Sequence, residues 1–230
     1  FGHRANNFLK INHNYDVVID NQSLSYGMLE IQKRFPFIGI IHHPISKDFK
    51  FELESANNFS YKLSRYRWYS FLKMQNKVAK NINRIITPSK NSLRDIVEDF
   101  GANKENIKVI NNGLDIDIFI PYKEIKRTPF KLITTASADV ALKGLDYTLK
   151  SLFALAKEFP EISLLVIGKM KNDGHTSRLI DELSIQDRVT FKTDLTKEEI
   201  AKEYASSSIA IVSSLYEGFG YPVIEAMSCE

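Results

Sequence analysis

Short apolar runs rich in β-branched residues alternate with helical stretches along the whole chain, and this alternation restricts the fold more than any other feature. The apolar runs cover residues 15–20, 37–42, 84–88 and 108–112 in the first half, and 131–135, 163–168, 189–193 and 209–213 in the second. Helical periodicity is clearest at 61–83, 143–158, 176–184 and 196–206. Strands separated by helices are typical of parallel sheets covered on both faces. The sequence therefore predicts an α/β fold.

A segment without clear periodicity separates the two series of strands. Residues 114–129 contain Pro121 and Pro129 together with mixed charge, as a linker does. We therefore expect two Rossmann-like domains, at 1–117 and 130–230, joined by a linker at 118–129. In such sheets, ligands bind beyond the carboxyl ends of the strands, often in a crevice between domains. Residues that directly follow a strand are therefore the candidates for a functional site.

Positive charge is concentrated in the first half of the chain. Residues 1–128 carry 20 Lys and Arg against 13 Asp and Glu, a net +7, whereas 129–230 carry 11 against 15, a net −4. Residues 60–94 contain nine Lys and Arg, several aromatic side chains and no acidic residue. Such a stretch is either a solvated helix face or a surface for an anionic membrane. We expect weak, salt-sensitive binding to an anionic membrane surface through 60–94, and no nucleic-acid partner.

Other features of the sequence point to the compartment. The single cysteine, Cys229, cannot form an internal disulfide, so a buried core must hold the fold. The longest apolar runs, such as 37–41, are far shorter than the roughly 20 residues that a membrane-spanning helix needs. The first residues lack the apolar stretch of a signal peptide. We expect a cytoplasmic protein that can bind peripherally to the inner face of the membrane.

The last stretch of the chain carries the strongest chemical signal. Residues 209–213 predict a strand, which runs into a glycine-containing loop, and Pro222 then suits the first turn of a helix. The amino terminus of a helix preceded by small residues can bind an anion, because its backbone N–H groups and its dipole face the ligand. Glu217 and Glu225 lie eight positions apart on either side of this helix start. Both carboxylates could therefore contact one polyhydroxylated ligand.

The segment 217–227 resembles the EGFGxPxxEAM signature of the retaining family 4 glycosyltransferases, which have the GT-B fold. Further matches occur in the order of the family: 41–44 (IHHP), 86–89 (ITPS), 112–115 (NGLD) with Phe119, 143–144 (KG), 165–168 (LVIG) and 189–191 (VTF). The resemblance covers essentially the whole chain. It implies two incomplete Rossmann-like domains with parallel sheets that face a central cleft, the first for the acceptor and the second for the donor.

The resemblance also implies a reaction and a set of site residues. A sugar would pass from a nucleotide-diphosphate donor to a carbohydrate or lipid-linked acceptor with retention of the anomeric configuration. The implied catalytic residues are His42, Lys143 and Glu217; donor contacts are Gly168, Phe219, Gly220 and Glu225; acceptor or interdomain contacts are His43, Ser89, Asn112 and Asp115. The Lys143 cation and the amides near Phe219 and Gly220 would stabilise the departing diphosphate. Glu217 would orient the sugar hydroxyls, and Glu225 would bind the ribose.

No metal ion and no cofactor is expected, since the five histidines lack the spacing of metal ligands beyond the pair His42 and His43. Each implied residue also has an ordinary structural explanation: a surface Lys143, a helix-capping Glu217, a solvated Glu225, a strand-end His42, an N-cap Ser89 and a turn-forming Asp115. A nicotinamide dehydrogenase is excluded because no G-x-G-x-x-G follows a predicted strand. A nucleotide-sugar epimerase of the same fold, and a non-catalytic membrane-binding or nucleic-acid-binding module, stay open as alternatives.

Two departures from the family pattern affect what this chain can do. The family carries a Gly-Arg pair shortly before the KG lysine, where this chain has Ser137 and Ala138. Lys143 is then the main visible cation for the diphosphate. The glycine-rich loop of the family's first strand has no counterpart here, and the chain stops within the signature helix. We therefore expect an internal fragment of a longer protein, inactive on its own.

Overall fold

The computed structural model describes residues 1–54, 56 and 58–230. The chain folds into two compact units, Phe1–Asn112 and Gly113–Glu230. The segment expected to be a linker, 118–129, belongs to the second unit, because the side chain of Phe119 is buried in that unit's core.

The first unit is built on a parallel sheet with the strand order β1-β2-β3-β4. Its strands are Val18–Asn21 (β1), Phe37–Ile40 (β2), Ile85–Thr87 (β3) and Ile107–Val109 (β4). Its helices are Gly2–Ile11 (α1), Gly27–Ile31 (α2), Ser46–Glu54 (α3), Phe59–Trp68 (α4), Leu72–Asn81 (α5) and Lys90–Asp95 (α6), which continues as a π-helical turn over Ile96–Phe100. Fully buried Ile41, Ile82, Ile85 and Phe100 lie in one core.

The second unit is built on a parallel sheet with the strand order β7-β6-β5-β8. Its strands are Thr128–Thr135 (β5), Ser163–Ile167 (β6), Val189–Lys192 (β7) and Ser207–Ala210 (β8). Its helices are Leu145–Leu155 (α7), His175–Glu182 (α8), Lys197–Ser206 (α9) and Tyr221–Ser228 (α10). Two buried clusters flank the sheet, one centred on Leu149 and Leu164 and the other on Ile133 and Ala201. The expected α/β class with two parallel sheets is confirmed.

The long helix expected at 61–83 is interrupted. Helices α4 and α5 are joined by a 3-10 turn over Tyr69–Phe71, which changes the face that each residue presents. Tyr69 is buried and donates a hydrogen bond to Glu52 of α3, whereas Trp68 is 65% exposed. One helical periodicity over 61–83 therefore does not describe which side chains are exposed. The T-shaped contact of Tyr66 with Phe49 and the bond from Tyr69 to Glu52 draw this turn onto α3.

No helix among the described residues is both long enough and apolar enough to cross a membrane.

Candidate active site

The turn between β5 and α7 contacts the loop that follows β8. This junction brings the KG motif (143–144) and the EGFG motif (217–220) together. Leu215 N donates to Leu142 O over 2.8 Å, and the Ser213 hydroxyl donates to the Lys143 and Gly144 carbonyls. Gly144 has a φ of +64°, and a Cβ at this position would lie 2.1 Å from the Ser213 carbonyl oxygen. Only glycine can occupy this position, because any side chain would meet backbone. Strands β5 and β8 are neighbours, so both loops leave the same carboxyl edge of the sheet.

Lys143 and Glu217 form an ion pair at this junction. The Nζ atom of Lys143 lies 2.7 Å from Oε1 of Glu217, and both side chains are about three-quarters buried. Seventy-four positions separate these two residues in the sequence, so the contact depends on the docking of the two loops. The site thus holds a cation and a carboxylate side by side, as recognition of both phosphate and sugar hydroxyls requires.

Helix α10 begins directly after the Glu217 loop. Its N-cap is Gly220, which adopts the left-handed conformation at a φ of +89°, and Pro222 lies in the first turn as expected. Among the residues that the structure describes, no side chain caps this helix start. Phe219 is half-buried and makes an edge-on ring contact with Tyr221. These features fit the anion-binding helix start expected from the sequence.

Glu225 lies on α10 in a different environment from Glu217. It is half-buried and accepts a hydrogen bond from the hydroxyl of Tyr204 on α9. Tyr204 also lies 2.8 Å from the Thr135 hydroxyl at the end of β5. Either hydroxyl of this pair can donate the hydrogen. Burial raises the pKa of the Glu225 carboxyl above its usual value, against the opposing effects of the Tyr204 bond and of Lys197.

The two positions that replace the family's Gly-Arg pair contain no cation. Ala138 is 3% exposed, while Ser137 is exposed. The next residue, Asp139, accepts a bond from Thr176 N, and Thr176 Oγ1 accepts one from Asp139 N. This loop is therefore fastened to the start of α8. Gly168 follows β6 beside it, where a Cβ would lie 2.1 Å from the Ala136 carbonyl oxygen.

In the first unit, two amide side chains hold His42. Asn21 ends β1 and Gln22 follows it, while His42 follows the neighbouring strand β2. The Nε2 atom of His42 lies 2.7 Å from Asn21 Oδ1. Gln22 accepts a hydrogen bond from His42 N over 2.6 Å and donates one to His43 O over 3.0 Å. Hydrogen bonds therefore fix both the ring and the backbone of His42.

His43, Ser89 and Asp115 have partners within the protein. His43 Nε2 lies 3.3 Å from a carboxylate oxygen of Asp48 on α3. Ser89 accepts a hydrogen bond from Ser92 N and is the N-cap of α6, as its ordinary structural explanation predicts. Asp115 pairs with Lys197 at 3.5 Å. Asn112 is half-buried at the end of the first unit. Ligand roles for these four residues stay predictions.

Three residues of the site, Asn21, Gln22 and Tyr204, are not among those predicted from the sequence. Asn21 and Gln22 directly follow a predicted strand, so the rule that selected His42 also applies to them. Tyr204 lies inside a helical pattern, and no local signal distinguishes it from an ordinary core tyrosine.

Two family models together match nearly the whole chain. Residues 2–118 match the model described as Glycosyltransferase Family 4, and residues 118–230 match the one described as Glycosyl transferases group 1. The chain belongs to glycosyltransferase family 4. This membership confirms the resemblance that the EGFGYPVIEAM segment carries.

Curated relatives of this family member include two mycobacterial enzymes. An MMP alpha-(1->4)-mannosyltransferase of Mycolicibacterium hassiacum is 40% identical over 215 residues, which cover 93% of this chain and 51% of the relative. A D-inositol 3-phosphate glycosyltransferase of Mycolicibacterium smegmatis is 29% identical, with 67% of this chain and 38% of the relative covered. The chain thus spans about half, or less, of the length of these relatives.

Solved structures share the fold of this family 4 chain. Sucrose-phosphate synthase from Thermosynechococcus elongatus superposes with a TM-score of 0.75 at 19% identity, covering all of this chain and 57% of that one. The pneumococcal O-GlcNAc transferase GtfA, solved with UDP and GlcNAc, gives a TM-score of 0.69 at 18% identity, with 98% and 43% covered. These likenesses place the chain in the GT-B fold.

Proposed function

We propose that this chain is part of a retaining glycosyltransferase that uses a nucleotide-diphosphate sugar. The bond between the anomeric carbon and the diphosphate oxygen breaks, and a bond from that carbon to an acceptor hydroxyl oxygen forms on the same face. The acceptor proton goes to the departing diphosphate. The second unit binds the donor, and the first unit supplies His42 and the acceptor contacts. The acceptor is a carbohydrate or a lipid-linked sugar.

The observation that carries this proposal is the contact of Lys143 with Glu217. The cation is balanced by a carboxylate that can also accept bonds from sugar hydroxyls. A bound diphosphate brings its own negative charge and gives Lys143 a second anionic partner. Negative charge grows on the leaving group in the transition state, where a fixed cation stabilises it more than in the ground state. The unlike environments of Glu217 and Glu225 support separate roles for the two carboxylates.

The donor is to be identified by calorimetry of the full-length protein against UDP-, GDP- and ADP-sugars, with mannose, glucose and N-acetylglucosamine as the sugars. A nucleotide sugar that binds is then incubated with the protein and candidate acceptors, and NMR of the product gives the anomeric configuration. Retention supports the proposal, and inversion contradicts it. Interconversion of the sugar without any acceptor would instead indicate the epimerase alternative.

Lys143→Ala tests the contact itself. A charge-assisted bond to phosphate contributes about 1.5–3 kcal/mol, so the dissociation constant of the nucleoside diphosphate should rise about ten- to hundredfold. Lys150→Ala is the matched control, because Lys150 is an exposed lysine of α7, the helix that follows the KG motif. Equal affinities for wild type and Lys143→Ala would show that another group holds the phosphates.

Helix α4 supports a proposal about location. Phe59, Leu63 and Tyr66 lie at successive turns of this helix, and Trp68 ends it; all four are more than half exposed. Lys62 and Arg67 are exposed among them. Exposed aromatic and basic side chains on one helix complement an anionic lipid surface. We therefore propose that α4 and the neighbouring Lys73 rest on an anionic membrane.

A further inference from the structure

The turn after β1 has a strained backbone, and side chains at this turn contact His42. Gln22 has a φ of +62° and Leu24 a φ of +45°, both unusual for residues with a side chain. Buried Asp20 holds the turn by accepting bonds from Leu24 N, over 2.9 Å, and from the Ser23 hydroxyl. A left-handed glutamine persists only where its surroundings fix it, and such residues cluster at functional sites.

The turn delivers two amide side chains to one residue. Gln22 accepts from His42 N and donates to His43 O, so its amide bridges both ends of this dipeptide. Asn21 Oδ1 contacts the imidazole at Nε2 over 2.7 Å. Every hydrogen bond that His42 makes to the described residues comes from these two neighbours. Packing alone would require no such pair of polar contacts at the end of a strand.

The contact with Asn21 also determines which ring nitrogen carries the proton. An amide oxygen can only accept, so Nε2 must donate and the neutral ring must carry its proton there. Nδ1 then presents a lone pair, which can accept a hydrogen bond from a hydroxyl group. Polyhydroxylated sugars supply such donors.

We propose that Asn21 is a positioning residue, which holds His42 as the Nε2–H tautomer and aims Nδ1 at a hydroxyl of the transferred sugar or the acceptor. The proposal rests on the proposed function, because it assumes that His42 contacts substrate. Asn21 itself need not touch substrate. Its loss should therefore act only through His42.

The first test needs no ligand. Full-length protein labelled with ¹⁵N at histidine is studied by NMR at a pH where His42 is neutral, and its signals are assigned by their loss in His42→Gln. We expect a protonated Nε2 and an unprotonated Nδ1, with an Nε2–H proton protected from exchange with water. In Asn21→Ala that protection should be lost, whereas the exposed Asn12→Ala should leave it unchanged. A wild-type His42 protonated at Nδ1, or a spectrum unaltered by Asn21→Ala, would overturn the proposal.

The second test is a double-mutant cycle on turnover. The assay follows release of nucleoside diphosphate from whichever UDP-, GDP- or ADP-sugar the protein binds, with water as acceptor. Asn21→Ala should lower kcat about ten- to hundredfold and leave the affinity for the nucleoside diphosphate unchanged. In the His42→Gln background it should cause no further loss, and Asn21→Asp, which keeps an acceptor oxygen, should restore part of the rate.

An equal loss from Asn21→Ala with and without His42 would show an independent effect and refute positioning. Full activity of His42→Gln would instead refute the assignment of His42 under the proposed function. The NMR result would still decide whether Asn21 fixes the tautomer. The two ideas can therefore fail separately.

Discussion

The two glutamates of the signature segment have unlike partners, and this difference decides what each can do. Glu217 touches the Lys143 cation, whereas Glu225 accepts a bond from the neutral Tyr204 hydroxyl. A carboxylate next to a cation competes with phosphate for that cation. A carboxylate fixed by a phenol keeps acceptor capacity for further hydroxyls, such as those of a ribose.

We therefore predict different effects of Glu217→Gln and Glu225→Gln on nucleotide binding. Glu225→Gln should weaken binding of the free nucleoside diphosphate. Contacts with ribose are shared by the ground and transition states, so their loss raises KM more than it lowers kcat. Glu217→Gln should leave that affinity unchanged or increase it, since Lys143 loses its competing anion, while sugar transfer is suppressed. Calorimetry measures the affinity for the nucleoside diphosphate, and initial rates measure sugar transfer. Equal weakening by the two substitutions would contradict this division of roles.

Tyr204→Phe should alter the pH dependence of nucleotide binding. The Glu225 pKa already lies above its usual value of 4.5 because of burial, and the Tyr204 bond opposes that shift. Under the proposed role of Glu225, the charged carboxylate binds the ribose, so affinity should fall as the pH drops through this raised pKa. Without the phenol the pKa rises further, and the loss of affinity should begin at a higher pH. Calorimetry across a pH series shows the midpoint, and Tyr147→Phe, at an exposed tyrosine of α7, is the control. A midpoint that Tyr204→Phe leaves in place would disprove the coupling.

At the scale of the secondary-structure elements, the site depends on how two loops dock. The turn before α7 and the loop after β8 meet at Gly144, where backbone lies against backbone. We predict that Gly144→Ala destabilises the full-length protein by about 2 kcal/mol or more, because the left-handed conformation costs roughly 1–2 kcal/mol and the methyl group adds a clash. Urea denaturation measures this loss. The matched control is Gly113→Ala, since a Cβ there meets nothing within 4 Å. Equal stability of the two variants would contradict the tight docking.

The sequence predicted the positions of the strands well, because β-branched runs bounded by turn residues report local preference. It did not predict the break between α4 and α5. The partners of Tyr69 there, Phe49 and Glu52, lie on another helix, and periodicity carries no information about such contacts. For the same reason, the sequence predicted residues of the candidate site but not the contacts between them. Lys143 and Glu217 were found through motifs, while the contact of Asn21 with His42 joins two strands and has no local signal.

On the scale of the whole molecule, charge and exposed apolar surface coincide in the first half of the chain. The net charge of +7 in residues 1–128 includes the acid-free stretch 60–94, and α4 within that stretch has no buried residue. A solvated helix gains nothing from exposed Phe59 and Trp68, whereas a lipid interface accommodates both aromatic rings and cations. The second half, with a net charge of −4, has no comparable stretch.

We predict that the full-length protein co-sediments with vesicles that contain about 30% phosphatidylglycerol, and less with neutral phosphatidylcholine vesicles. Each cation near the surface contributes about 1 kcal/mol, and salt screens this attraction. Replacing Lys62, Arg67 and Lys73 together by Gln should reduce binding strongly at low salt. Trp68→Ser should reduce binding to anionic vesicles at all salt concentrations, because its indole acts by burial. The control is a variant in which three exposed cations of the second unit are replaced together: Lys123, Lys150 and Lys202. This variant should bind the vesicles as the wild type does. Equal recovery on neutral and anionic vesicles at low salt would rule out docking through α4.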